Sequence, residues 1–229
     1  MHISQASHFA DQAERRSHGY WLLAKLFLEL PTPDRLQALR DVLAPLSEAQ
    51  GPLQQVVSEL YAAVVQALRA PEATAVDFTR RLIVVNKESG EALPFEAHAR
   101  ERRLPGDATE AMQLLMAECG YSDIAPEAAS PDHLGAELRL MALLCHDESQ
   151  AWKSGALDVA VASLRRQKQL LSNHLEQWAP DYCQGLAERA SDAYVQSMAR
   201  LTGQALAEDV EVLAELVREV DAFLARPAQ

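Results

Sequence analysis

The chain has 229 residues, 48% of them apolar and only 9 of them glycine, and 33 Asp and Glu against 21 Lys and Arg give it a formal net charge of −12. That balance excludes a nucleic-acid protein, whose affinity rests on a basic surface neutralising phosphates, and a stable hold on anionic membranes for the same reason. Scarce glycine, abundant Ala and Leu and few period-two alternations predict an all-α fold: a single globular helical bundle over 1–229, of roughly nine or ten helices, with a long irregular central loop.

The first predicted helix covers about residues 7–29. Phe9, Ala13, Arg16, Tyr20, Leu23, Phe27 and Leu30 repeat at alternating spacings of four and three, the period of one helix face. Arg15-Arg16-Ser17 ahead of the run from Tyr20 to Leu30 loosely imitates a twin-arginine export signal. Lys25 and Glu29 interrupt that run, and no small-residue cleavage site follows, so the stretch reads as a mature amphipathic helix. A second helix is predicted at about 34–44, stopping before Pro45, and a third at about 52–69, with Val56, Leu60, Val64 and Leu68 on one side. Short loops make these three antiparallel neighbours.

A fourth helix is predicted at about 74–84, with a strand as the alternative for its β-branched end. Residues 86–106, punctuated by Asn86, Gly90, Pro94, Pro105 and Gly106, read as irregular, with room for a helical turn near 95–103. Asp107 with Glu110 three residues on resembles a capping box for a helix at about 107–119, which Gly120 ends. After a second loop comes the firmest helix signal: Ser130 as cap, Pro131 at the first position, Asp132 in the first turn, and a helix over about 131–148. Further helices are predicted at about 154–177, ended by Pro180, then at about 181–201 and 206–225.

The charge is concentrated. Residues 88–148 hold 13 acids and 4 arginines, a net of −9, which leaves −3 for the rest. Within that segment His133 and Glu137 fall four apart on one helix face, beside an apolar stripe of Leu134, Leu138, Met141 and Cys145. Two readings follow. One is a helical metal protein or enzyme using His133, Glu137 and His146; the other is an acidic site beside an apolar groove for a peptide. The first lacks support in spacing: no Glu-x-x-His pair, no His-Glu-x-x-His, no nucleophile elbow and no phosphate-binding glycine loop occurs, so no cofactor and no metal is expected. Cys119, Cys145 and Cys183 are odd in number and far apart, as free thiols of a reducing cytoplasm would be.

Three stretches carry a resemblance to a known family. Tyr20-Trp21-Leu22-Leu23-Ala24-Lys25-Leu26-Phe27 is similar to that family's opening helix. Val76-Asp77-Phe78-Thr79-Arg80-Arg81-Leu82, followed by Leu93-Pro94-Phe95-Glu96-Ala97, is similar to its acidic-aromatic-x-Arg-Leu-Phe helix and its Pro-Tyr-Glu-Ser loop. Pro131-Asp132-His133-Leu134-Gly135-Ala136-Glu137-Leu138-Arg139-Leu140-Met141 is similar to its Pro-Asp-His-(aliphatic)-x-x-Glu-Leu-x-x-Met pattern. The chain thus resembles the TorD/DmsD/NarJ family of redox-enzyme maturation chaperones, with Phe95, Ala97 and His98 departing from the usual Tyr and Ser-Val.

The resemblance implies a cytoplasmic chaperone rather than an enzyme. Its partner would be the leader peptide and apo-form of a molybdopterin-dependent oxidoreductase catalytic subunit, held back from twin-arginine export until the cofactor is inserted. It implies no nucleic acid and no stable membrane association, and a monomer or homodimer. The expected peptide site is Asp132, His133, Glu137 and Glu96, with Pro94, Phe95, Leu134 and Met141 as apolar neighbours. Carboxylates suit the paired arginines of such a leader because guanidinium–carboxylate bonds can be bidentate. Protonation of His133 would make this binding pH-sensitive.

Overall fold

The structure, a computed structural model, describes residues 2–83 and 93–225. Ten α-helices lie in that part: α1 (His2–Leu28), α2 (Pro33–Glu48), α3 (Gln54–Ala67), α4 (Pro71–Phe78), α5 (Glu96–Glu101), α6 (Asp107–Glu118), α7 (Leu134–Ser154), α8 (Leu157–Leu170), α9 (Glu176–Arg189) and α10 (Ala193–Leu224). Two wider π turns, Thr79–Ile83 and Leu171–Leu175, extend α4 and join α8 to α9. The sole β-type pairing among the described residues is an isolated antiparallel bridge between Phe95 and His133. The chain is therefore all-α. Leu82 and Ile83 are helical, whereas Val84 and Val85, the rest of the alternative strand, lie outside the described residues.

The core is organised on α7. Leu134, Leu138, Leu140, Met141 and Leu144 are all but sealed from solvent, each burial contributing roughly 1.5–3 kcal/mol before conformational entropy is charged against it. α1 lies along α7, and its start is locked to the far ends of α7 and α10 by rings. Phe9 stands 5.0 Å from Trp152 and 5.7 Å from Phe223, the latter edge-on. Such pairs add to the area they bury. At the other end of α1 the two helices nearly touch, and a Cβ on Gly135 would meet the Leu28 side chain at 2.5 Å.

Several boundaries differ from the sequence reading, each for a local physical reason. Pro45 does not stop α2, and Pro180 does not separate the helices around it. In both cases the carbonyl four residues back, on Asp41 or Glu176, belongs to an exposed residue, so water can take the bond that proline cannot donate. A π turn just ahead of α9 also opens the ladder, with the Glu176 N–H reaching back to the Leu171 carbonyl. The expected gap between the helices at about 181–201 and 206–225 is absent: α10 is continuous, and the true break is at Ser191-Asp192, where Asp192 caps the Tyr194 N–H at 2.8 Å. Gly203 permits close packing, since a Cβ there would lie 3.4 Å from that of Cys183.

The expected capping box of Asp107 and Glu110 is replaced by a cap in trans. The Glu101 carboxylate accepts the N–H groups of Asp107 and Ala108, both at 2.8 Å, and the Thr109 hydroxyl accepts that of Gly106. Gly120 does end α6, with φ at +81°, where an L side chain would be strained. Asp77 likewise acts across the fold: it accepts from the Ser191 N–H and hydroxyl and from the Asp192 N–H, which fastens α4 to the start of α10.

Arg16 explains its place on the inner face of α1. Its guanidinium forks onto Asp209 of α10, at 2.7 and 2.9 Å, and also reaches Gln167 of α8. Tyr20 donates to the same Asp209 carboxylate at 2.6 Å, and Gln167 donates to Glu148 of α7 at 2.7 Å. One buried polar network thus ties α1, α7, α8 and α10. Removing one charge from such a pair leaves the other desolvated and alone. Asp209→Ala should therefore cost about 3–5 kcal/mol in chemical denaturation, far more than an exposed acid such as Glu211→Ala; equal costs would show that the network carries no weight.

Candidate functional site

The bridge between Phe95 and His133 is the frame on which the site is built. The Glu96 N–H donates to the Asp132 carbonyl at 2.9 Å and the Leu134 N–H to the Pro94 carbonyl at 2.9 Å, so segment 94–96 runs antiparallel to 132–134. The Asp132 carboxylate completes it: Oδ2 accepts the Ala97 N–H at 3.0 Å, and Oδ1 accepts the Ser130 hydroxyl. Proline and an extended residue suit this geometry, which is why a helix cannot begin at Pro131. The helix starts at Leu134 instead, capped by His133, whose Nδ1 accepts the Gly135 N–H at 3.0 Å. Ser130 is not the cap. His98 braces the loop from the other side by accepting the Leu93 N–H at 3.3 Å.

Beneath the bridge lies a buried cluster of three carboxylates. Glu96, Asp132 and Glu137 are each 0% exposed. Glu96 pairs with Arg100 one turn along α5 and, through Oε2, with His174 Nδ1 at 2.7 Å. Arg100 also reaches the Asn173 carbonyl, and Trp178 donates to Glu137 Oε2 at 3.4 Å. Glu137 Oε1 has no hydrogen-bond partner. The expected site residues Pro94, Phe95, Glu96, Asp132, His133, Leu134 and Glu137 are thus gathered in one place, with the fully buried Met141 one turn further along α7. Of these only Phe95 is more than marginally exposed; its ring stands edge-on to His133 at 5.2 Å. His174, Trp178 and Arg100 were not singled out by sequence. His174 carries no periodic or motif signal, and Trp178 reads only as one apolar position of a helix.

The titration of Glu137 and His133 follows from their burial. Burial, and next the nearby Glu96 carboxylate, push the Glu137 carboxyl well above its usual value near 4.5. Burial pulls His133 down to about 4, so it is neutral across the physiological range and cannot repel a leader arginine between pH 5.5 and 8. The expectation of a His133 pH switch in that range is corrected. His146 is exposed on α7, about 20 Å along the axis from His133, so the two do not share a site. Among the described residues no three His, Cys, Asp or Glu side chains form a metal-binding group. The three cysteines are free thiols; burial pushes Cys145 and Cys183 up to about 12.

Beside the frame opens a cleft of about 390 Å³ between the end of α6, the loop 120–131 and the first turn of α7. Met116, Ile124, Pro126 and Ala136 give it apolar walls, and Tyr121, Asp123 and Ser130 are its polar ones. Asp123 is exposed and has no ion pair among the described residues. Glu127 beside it holds Arg139 at 2.7 Å, Arg139 also binds the Ile124 carbonyl, and the Tyr121 hydroxyl donates to Asp147. The loop is thereby held in shape from α7.

An all-α chain with this frame and cleft matches a protein-family model described as nitrate reductase delta subunit over residues 41–184, and it belongs to that family. The matched span contains the whole frame, from Pro94 to Trp178. Proteins described as chaperone protein TorD, from two strains of Vibrio cholerae serotype O1, are each 26% identical over 215 residues, covering 90% of this chain and 95% of theirs. No described helix is long and apolar enough to cross a membrane.

The two shifted groups act in opposite directions on stability. Glu137 keeps its proton in the folded state and loses it on unfolding above about pH 4.5, so it should make stability fall as pH rises through its raised pKa. His133 gains a proton on unfolding below about pH 6.5, so it should make stability fall as pH drops from there towards 4. Thermal melts of Glu137→Gln should show a flatter decline on the alkaline side. Melts of His133→Asn, which keeps a cap, should show less loss on the acid side. Slopes identical to the parent protein would mean that neither group titrates as its burial requires.

Proposed function

We propose that this protein is a maturation chaperone acting in the cytoplasm, which binds the twin-arginine leader of a molybdenum-dependent oxidoreductase subunit and holds the apo-subunit for cofactor insertion. Family membership and the TorD relatives support the chaperone role. The observation that carries the leader reading is the apolar cleft with an unpaired acid at its mouth, in the most acidic part of the chain. The leader's apolar stretch would lie against Met116 and Ile124, and an arginine would reach Asp123. The excess acid of residues 88–148 would speed encounter with a basic peptide.

In this reading Glu96, Asp132, His133 and Glu137 serve the site from beneath. They hold Pro94 and Phe95 against the start of α7 and fix the far wall of the cleft. Two variants separate contact from support. In calorimetry with a twin-arginine leader peptide, Asp123→Ala should weaken binding by about 1.5–3 kcal/mol with stability unchanged. Asp132→Ala orphans the Ala97 N–H and should lower both stability and binding, the former by roughly 1–3 kcal/mol. Full affinity in Asp123→Ala would remove the cleft as the leader site.

A further inference from the structure

α1 itself borders a second, apolar groove that the leader reading does not use. It runs between α1 and α2. One cavity of about 360 Å³ is walled by Trp21, Leu22, Leu26, Leu39, Val42 and Tyr194. A second of about 310 Å³ continues it past Leu22 to Leu23, Leu43, Leu46 and Leu53. The order of these residues makes α1 and α2 antiparallel, and the first cavity alone follows α1 from His18 to Glu29, about 16 Å of helix. Trp21, Val42 and Leu46 are 40%, 51% and 44% exposed, large apolar side chains on two adjoining helices with cavities between them. Isolated exposed apolar residues need no explanation, but a continuous groove of them does.

The rim supplies the sign of the occupant. His18, Lys25 and Arg35 border the first cavity against a single acid, Glu29, which Arg35 meets at 3.5 Å. Lys25 has no ion pair among the described residues. A locally basic rim in a chain of net −12 does not suit an arginine-bearing leader, and the acidic remainder of the molecule repels an anionic membrane. We infer that the α1–α2 groove docks an amphipathic helix of a partner protein, with an apolar face laid over Trp21, Leu39 and Val42 and an acidic flank set against Lys25 and Arg35. This rests on the groove alone and stands or falls apart from the leader site.

Trp21 is the natural reporter, because Trp152 and Trp178 are 3% exposed. The probe is a synthetic helix of about 18 residues with Leu at i, i+3, i+4 and i+7 and Glu along one flank, compared with the same peptide carrying Lys for Glu. The acidic peptide should shift Trp21 emission to the blue and saturate. Lys25→Glu combined with Arg35→Glu, both at the surface and checked for folding by circular dichroism, should weaken it at least tenfold, and the Lys peptide should not bind. No shift with either peptide, or equal binding of both, overturns the proposal. A blue shift on concentrating the protein alone, with sedimentation showing dimers, assigns the groove to a second copy instead. A shift with phosphatidylglycerol vesicles alone assigns it to a membrane. Displacement of the acidic peptide by a twin-arginine leader overturns the separation of the two sites, whereas loss of leader binding in Asp123→Ala leaves this result untouched.

Discussion

A single pair of extended segments ties the start of α5 to the start of α7 in this helical molecule. Residues 94–96 and 132–134 exchange two backbone hydrogen bonds, and the Asp132 carboxylate adds a third to Ala97. An isolated bridge is weak by itself, since a two-residue pairing gains little against the entropy of ordering its chain. Here it is buried, and burial makes each of its bonds costly to lose. It sets where α5 and α7 begin, and through α7 it sets the walls of the cleft and the position of Arg139, which shapes the loop 120–131.

The carboxylates under the bridge show what such a motif does structurally. Asp132 and Glu96 spend their oxygens inside the protein, on Ala97 and Ser130 in one case and on Arg100 and His174 in the other. A third carboxyl, Glu137, shares the same dry space, and three charges there would repel one another, so its proton is retained. The cluster gives the loop one conformation. Phe95 meets His133 ring to ring, edge-on at 5.2 Å.

The two grooves differ in sign. The cleft at 120–131 offers unpaired acid at its mouth, and the α1–α2 groove offers unpaired base at its rim. Arg139 lies between them: its guanidinium holds Ile124 and Glu127 at the first and stands 5.4 Å over the Trp21 ring at the second. The buried network around Arg16 and Asp209 keeps α1 seated on α7, α8 and α10 at the same level, so both surfaces are set on one rigid support.

Composition and periodicity alone determined the all-α class, the inner face of α1 and the apolar seam of α7, because burial of a helix imposes a 3.6-residue rhythm that any sequence must show. The motif from Pro131 to Met141 also marked the stretch that carries Asp132, His133 and Glu137. Tertiary structure decided what those signals left open. Whether Pro45 or Pro180 ends a helix depended on what surrounds the carbonyl concerned. Which atom caps α6 or α7 depended on Glu101 and His133 rather than on the nearest Asp or Ser. Arg16, read as one place in an apolar rhythm, found its partner 193 residues away. Such long-range pairings leave no local pattern, and neither does the burial that seals Asp132 and Glu137 from solvent.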